Sequence, residues 1–252
     1  MKTDLIRIHH AEYLDDIPFW KSLSEGKDPI LEVGCGHGRV TLPLLEAGHE
    51  IIGVDIDSLP IQYLRDCLEN KEPEIQDRAL IIQDDIVGFQ SDRSFGAVII
   101  PCNTYSTFSR DKRRKMISGI YELLKPDGIF SASLPNPVQV LALHKELQEN
   151  GDEDNTDLET AIIHPETGFP VQISSSVYPR EDSLSWDWIY DHLLPDGKVE
   201  RLTQSTEHYL TNLDTYLKEL NEVGFDNLKS LGDYDGITFS DDSPYLILVG
   251  RK

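Results

Sequence analysis

Short apolar runs alternate along this chain with longer segments whose apolar residues recur every three or four positions. Ile30-Leu31-Glu32-Val33 is a run of the first kind and breaks at Gly34-Cys35-Gly36-His37-Gly38. A run this short, ended by glycine, predicts a buried parallel strand. Val40, Leu44, Leu45 and Ala47 follow at helical spacing, and Gly48 supplies the stop signal. Glu50 to Val54 is a second apolar strand, closed by Asp55. Strand, glycine loop, helix, strand and acid make the first half of a nucleotide-binding α/β fold.

The alternation continues. Residues 59–70 are predicted helical, with Ile61, Leu64 and Leu68 inward, and 79–83 form a third strand that ends in Asp84-Asp85-Ile86. Residues 95–101 are a fourth strand, running into Cys102-Asn103-Thr104-Tyr105. Residues 111–125 are a helix with an exposed basic face, RDKRRK, then a turn at Lys125-Pro126-Asp127-Gly128 and a fifth strand over 129–134. Upstream, 11–25 carries a stripe of Tyr13, Leu14, Ile17, Trp20 and Leu23. This is one helix over the sheet edge, or two short ones with Pro18 in a first turn.

From 135 to about 210 the pattern departs from strand–helix units. A helix over 138–147 precedes an acidic loop, 149–157, that has nothing to pack. Three strands follow, over 171–178, 184–194 and 198–210, with a hairpin turn at Pro195-Asp196-Gly197. In the middle strand Trp186, Trp188, Tyr190 and His192 share one face by period two. A helix over 212–223 and strands over 227–231 and 244–251 complete the chain. A hairpin of those last two would make the seventh strand antiparallel.

The loop between the first two strands has a chemical logic. Glycines at 34, 36 and 38 permit positive φ and leave the backbone open to a ligand. Asp55 can accept hydrogen bonds from both hydroxyls of a ribose. Dinucleotide enzymes favour G-x-G-x-x-G around a pyrophosphate. Here the spacing is G-x-G-x-G, and Glu32 stands two residues before it. An acid there suits a ligand with a cationic end better than a pyrophosphate.

E-V-G-C-G-H-G followed by G-V-D-I-D resembles the class I S-adenosylmethionine-dependent methyltransferases, and L-L-K-P-D-G-I-F resembles the family's later helix–turn–strand. The resemblance implies S-adenosylmethionine as cofactor and S-adenosylhomocysteine as product. It implies that Gly34 and Gly36 approach the methionine and ribose portions, that Asp55 holds the ribose, and that Gly38 and Ile56 also belong to the cofactor site. Asp85 would accept the adenine amino group and Ile86 would offer its amide. Asp84 stands where many relatives have glycine, which leaves the choice between the two acids open. Asn103 would face cofactor or acceptor, Tyr105 would wall the site, and Cys102 is expected to be a packing residue. In relatives a leading Y-x-x-D segment can close over the methionine end, which makes Tyr13 a candidate contact. The inserted strands resemble the antiparallel cap of small-molecule and amino-sugar N-methyltransferases, where it roofs the acceptor pocket. Trp186, Trp188, Tyr190 and His192 then either line that pocket or pack onto the main domain.

Composition narrows the partners. A net charge of −22 repels phosphate backbones and anionic membranes, so a nucleic-acid substrate and a membrane partner are not expected. Cys35, Cys67 and Cys102 form no C-x-x-C, so neither a disulfide framework nor a metal site is indicated. The first residues lack the apolar core of a signal peptide, and no run reaches membrane-spanning length, which points to the cytoplasm. The expected fold is α/β: a Rossmann-like, seven-stranded, mostly parallel sheet with helices on both faces, over 1–134 and 211–252. An inserted antiparallel β cap occupies 135–210, after the fifth strand. The expected function is methyl transfer to a small-molecule acceptor, nitrogen ahead of oxygen, by a monomer or homodimer. A hydroxyl acceptor would need a base, and His192, His208, Tyr190 and His144 are the candidates. A non-catalytic nucleotide-binding protein and a nicotinamide-dependent oxidoreductase are the alternatives.

Overall fold

The structure is a computed structural model that describes residues 2–11, 13–150, 156–209 and 211–252. Its helices are α1 (Lys2–Ala11), α2 (Ile17–Ser24), α3 (Thr41–Glu46), α4 (Ser58–Glu69), α5 (Pro73–Gln76), α6 (Arg110–Leu123), α7 (Pro137–Asn150) and α8 (Leu213–Val223). Its strands are β1 (Ile30–Val33), β2 (Ile51–Asp55), β3 (Ala79–Gln83), β4 (Phe95–Ile100), β5 (Leu124–Pro135) and β6 (Asp157–Ile163). They continue with β7 (Pro170–Pro179), β8 (Ser183–Leu193), β9 (Val199–Tyr209), β10 (Asp226–Leu231) and β11 (Tyr245–Arg251). The chain divides into two compact units: Met1–Tyr13 with Val140–Leu210, and Leu14–Gln139 with Thr211–Lys252. The division differs from the expected one at two places. The first thirteen residues group with the inserted strands, and the second boundary falls inside α7.

The larger unit is a seven-stranded sheet in the order β10-β11-β5-β4-β1-β2-β3. β11 runs antiparallel to both its neighbours, as a closing hairpin requires, and the other pairs are parallel. The order reverses at β1, which lies between β2 and β4, so the crevice beyond its carboxyl end is the favoured ligand position. Successive strand residues point to opposite faces. Leu31 and Val98 therefore join one core cluster, with Met116, Ile120, Phe130 and Leu220, while Ile30 and Ile99 join the other, with Trp20, Leu44 and Leu64. Two buried faces explain why these strands read as continuous apolar runs.

Two local expectations change. Arg113, in the basic run, is not on a solvated face: it is buried and donates to Glu219 on α8 at 2.7 and 3.0 Å. Helical periodicity puts it on the side of Met116, Ile117 and Ile120. The Lys-Pro-Asp-Gly turn is absorbed into β5, with Asp127 at φ +60°. Pro18 does occupy the first turn of a helix, α2, which carries Ile17, Trp20 and Leu23 of the stripe, whereas Tyr13 and Leu14 lie between it and a separate α1.

The smaller unit is a four-stranded antiparallel sheet, β6-β7-β8-β9. Its edge strand β6 was not predicted, because its side chains are almost all exposed and its apolar residues do not alternate. Leu5 of α1 packs with Val171, Ile173 and Tyr190 of this sheet. The predicted acidic loop is shortened at both ends by α7 and β6, and its centre, 151–155, lies outside the described residues. Among the described residues no helix is long and apolar enough to cross a membrane.

Candidate functional site

The three loop glycines do three different things. Gly34 (φ +75°) lets the loop press on the segment after β4, since a Cβ there would lie 2.9 Å from the Thr104 side chain. Gly38 (φ +87°) is required by packing, because its Cβ would lie 2.4 Å from Leu64 on α4. At Gly36 (φ +49°) a Cβ would meet nothing nearer than the Asp55 carboxylate at 3.9 Å, so this is where the backbone stays open to a ligand. Its N–H donates to Asp55 Oδ2 at 2.8 Å, and the Asp57 N–H donates to Oδ1 at 2.9 Å. Each oxygen keeps a further lone pair for an incoming hydroxyl. Ile56, beside it, is exposed.

After β3, Asp84 accepts from the Asp85 N–H at 2.8 Å and Asp85 from the Val87 N–H at 2.9 Å. Both acids are exposed, and the buried Ile86 side chain anchors the turn in the core. Beyond β4, Cys102 and Asn103 are consecutive left-handed residues, φ +58° and +63°. Such non-glycine conformations are uncommon and cluster at functional corners. This corner turns Cys102 out of the strand. It is exposed, with its sulfur 2.7 Å from Arg39 Nη2, and so is not the packing residue expected. Tyr105 is corrected in the opposite sense. It is fully buried between Phe130 and Tyr216, so it braces the corner from beneath and offers no wall to a ligand.

Sequence reasoning missed the group that ties this corner to α2. Arg39 donates to Asp16 through Nη1 (2.5 Å) and Nη2 (2.6 Å), and Trp20 Nε1 adds a third bond to that carboxylate at 2.9 Å. The available signal was an arginine directly after Gly38. Its partner lies 23 residues upstream, where no spacing rule reaches. Glu32 is buried, and Thr41 Oγ1 on α3 donates to its Oε2 at 2.7 Å. Burial pushes its carboxyl up to about 8, against the smaller downward pull of Thr41 and Arg39.

In the smaller unit, Trp186, Trp188, Tyr190 and His192 do share a face of β8, opposite Val177, Ser175, Ile173 and Val171 of β7. They meet different surroundings there. Tyr190 is buried and bonds His9 Nδ1 at 3.0 Å, while the hydroxyl of Tyr13 bonds His9 Nε2 at 3.2 Å. Trp188 packs edge-on against the same imidazole, and Trp186 stacks alongside Trp188 with ring planes 12° apart. His192 is buried further along, stacked on His164 and bonded to Thr167 Oγ1 at 2.9 Å; burial lowers its pKa. His208, against Trp186, is pushed down to about 4 by burial, and His144 is bonded to the Arg180 carbonyl. His9 was missed because its partner Tyr190 is 181 residues away.

Residues 30–128 match the family model described as a methyltransferase domain. A Geobacillus sp. protein named provisionally as a methyltransferase is 25% identical over 230 residues, covering 90% of this chain and 86% of its own. The chain thus carries a methyltransferase domain. The glycine/sarcosine N-methyltransferase of Aphanothece halophytica is 26% identical over 257 aligned residues, 99% of this chain and 86% of that one. The solved CcbJ methyltransferase from Streptomyces caelestis superposes with a TM-score of 0.74 at 19% identity, covering 94% and 90% of the two chains, which shows a shared fold.

The cofactor of this methyltransferase is S-adenosylmethionine, and its product is S-adenosylhomocysteine. The residues present fit that molecule. Gly36 leaves open backbone beside a carboxylate already aimed by two N–H groups, as a ribose needs. Glu32 is a buried acid with a hydroxyl partner and, among the described residues, no cation bonded to it, which suits an ammonium group. A nicotinamide cofactor, the alternative considered above, is thereby set aside.

Proposed function

We propose that this methyltransferase methylates an amine nitrogen of a small molecule in the cytoplasm, and that the aromatic face of its smaller unit recognises that acceptor. The observation that carries the proposal is the chain Tyr13–His9–Tyr190. A buried imidazole there has both nitrogens engaged by phenols, and one of those phenols, Tyr13, is 52% exposed. Trp186 and Trp188, half-buried beside it, offer flat apolar surface to a ligand. When bound, S-adenosylmethionine supplies a methyl group already activated as a sulfonium. The protein's tasks are then to align the nucleophile, exclude water and accept one proton. An ammonium gives up that proton far more readily than a hydroxyl, and the other histidines are placed poorly for stronger base work. His208 is held neutral by burial, and His144 and His192 are already hydrogen-bonded. The N-methyltransferase relative that aligns along nearly the whole chain supports nitrogen over oxygen. The net charge of −22 keeps phosphate-backbone acceptors out of the proposal.

The test is incubation with S-adenosylmethionine and paired acceptors: glycine, sarcosine and an amino sugar against the matching hydroxy acid and neutral sugar. Mass spectrometry should find N-methylated products. Products from the hydroxyl members alone would move the assignment to oxygen. Intact S-adenosylhomocysteine binding with no product from any member would favour a non-catalytic binding protein.

A further inference from the structure

Among the described residues three acids are buried: Asp16, Glu32 and Glu219. Asp16 receives both arms of Arg39, and Glu219 receives two N–H groups of Arg113. Glu32 differs, having the Thr41 hydroxyl at 2.7 Å and no cation bonded to it. The charged and titratable groups around it come from every element of the crevice: Arg39 and Cys35 from the glycine loop, Asp16 ahead of α2, Asp55 from β2 and Cys102 after β4. Among the described residues the positive group that acts on it, Arg39, is bonded to Asp16, and the two acids oppose a further negative charge. A buried carboxyl so placed is more stable as the neutral acid.

We propose that Glu32 is protonated at neutral pH before the cofactor binds and loses its proton to solvent when the ammonium of the cofactor's methionine end arrives, with Thr41 as the residue that positions its carboxyl. The proposal rests on the assignment of Glu32 to the cationic end of the cofactor and goes beyond it. The Glu32 O–H bond breaks, the proton passes to buffer, and the ammonium keeps its own protons and gains a carboxylate partner. Glu32 thereby becomes a selector. A ligand that carries the amino-acid tail can stabilise the new carboxylate, and one that lacks the tail cannot. Affinity for tailed ligands should rise by up to about tenfold per pH unit below the point where Glu32 ionises unaided, because each binding event expels a proton.

The experiment is calorimetry of the whole protein with S-adenosylhomocysteine, and with 5′-methylthioadenosine as the tailless probe, in buffers of different protonation enthalpy. At pH 7 S-adenosylhomocysteine should release close to one proton and 5′-methylthioadenosine none, and the release should fade above about pH 9. Glu32→Gln should abolish it. Thr41→Val should carry the fading to higher pH, since its hydroxyl stabilises the carboxylate, and a purely structural Thr41 would leave that point unmoved. No release on S-adenosylhomocysteine binding, or equal release by both probes, overturns the proposal, and that comparison uses wild-type protein alone. Failure of S-adenosylhomocysteine to bind at all would overturn the cofactor assignment instead, and is a separate observable.

Discussion

Two regions of this methyltransferase began as equally regular patterns, and the structure treated them differently. Around the glycine loop, residues close in sequence converge on one open stretch of backbone at Gly36. Glu32, Gly36 and Asp55 are brought together by one strand–loop–helix–strand unit whose geometry is local. Along β8 the four side chains share a face and have different fates. Trp186 and Trp188 stay half-buried, Tyr190 is claimed by His9, and His192 is enclosed by His164 and Thr167. A strand's alternation says which side a residue faces. Elements distant in sequence decide what covers that side.

The comparison can be sharpened by four measurements, ordered from the largest expected effect. Glu32 comes first. Its carboxyl is raised from 4.5 to about 8, so the folded protein keeps a proton that the unfolded chain has lost across that window. Stability of the cofactor-free protein should therefore be highest below pH 4.5 as far as this group is concerned. It should fall as pH rises towards 8, by on the order of a few kcal/mol. Denaturant melts across this range should show the decline, and Glu32→Gln should flatten it; parallel curves for the two proteins would count against a buried neutral acid.

Asp55→Ala removes the carboxylate assigned here to the ribose and frees the Gly36 N–H. It should weaken S-adenosylhomocysteine binding by roughly 3 kcal/mol, about a hundredfold, in a protein that still melts cooperatively. Unchanged affinity by calorimetry would remove Asp55 from the site. Next, Gly38→Ala must displace Leu64 from a position 2.4 Å away at φ +87°. A loss of about 2 kcal/mol in stability is expected. Gly36→Ala should instead show its main effect in cofactor affinity. If the two variants lose stability and affinity in the same proportion, the division of labour among the glycines is wrong. The smallest contrast is in the other region. Trp188→Ala should raise the KM of an accepted amine by about tenfold with little change in kcat, whereas His192→Ala should lower the melting temperature and leave KM alone. The reverse pattern would place the acceptor at the His192 end of the strand.

The strands of the main sheet and the acid–glycine–acid register were legible in the sequence because each depends on residues within one or two turns of chain, whereas the order of the strands came only with the structure. Leu31 and Ile30 announce their opposite faces by adjacency alone. The antiparallel closing hairpin was legible for the same reason. Edge strand β6 was not, since exposed side chains give alternation nothing to mark. Nor was the burial of Arg113, which depends on a glutamate 106 positions later. Cys102 and Tyr105 were misassigned as a pair: two successive left-handed residues turn one outward and carry the other into the core, and backbone handedness leaves no trace in hydrophobic pattern.

By itself, then, the sequence determined the element types, the α/β class and the placing of two acids, Glu32 and Asp55, around the glycine loop, all set by short-range periodicity and by glycine's freedom at fixed positions. Only the tertiary structure decided which buried groups found partners. It joined Arg39 to Asp16, tied Tyr13 and Tyr190 to His9, and gave Glu32 the hydroxyl of Thr41. Those pairings depend on segments that meet only after the chain has folded. They set the charge state of each buried group, because the free energy of a buried charge is governed by the neighbours that replace water.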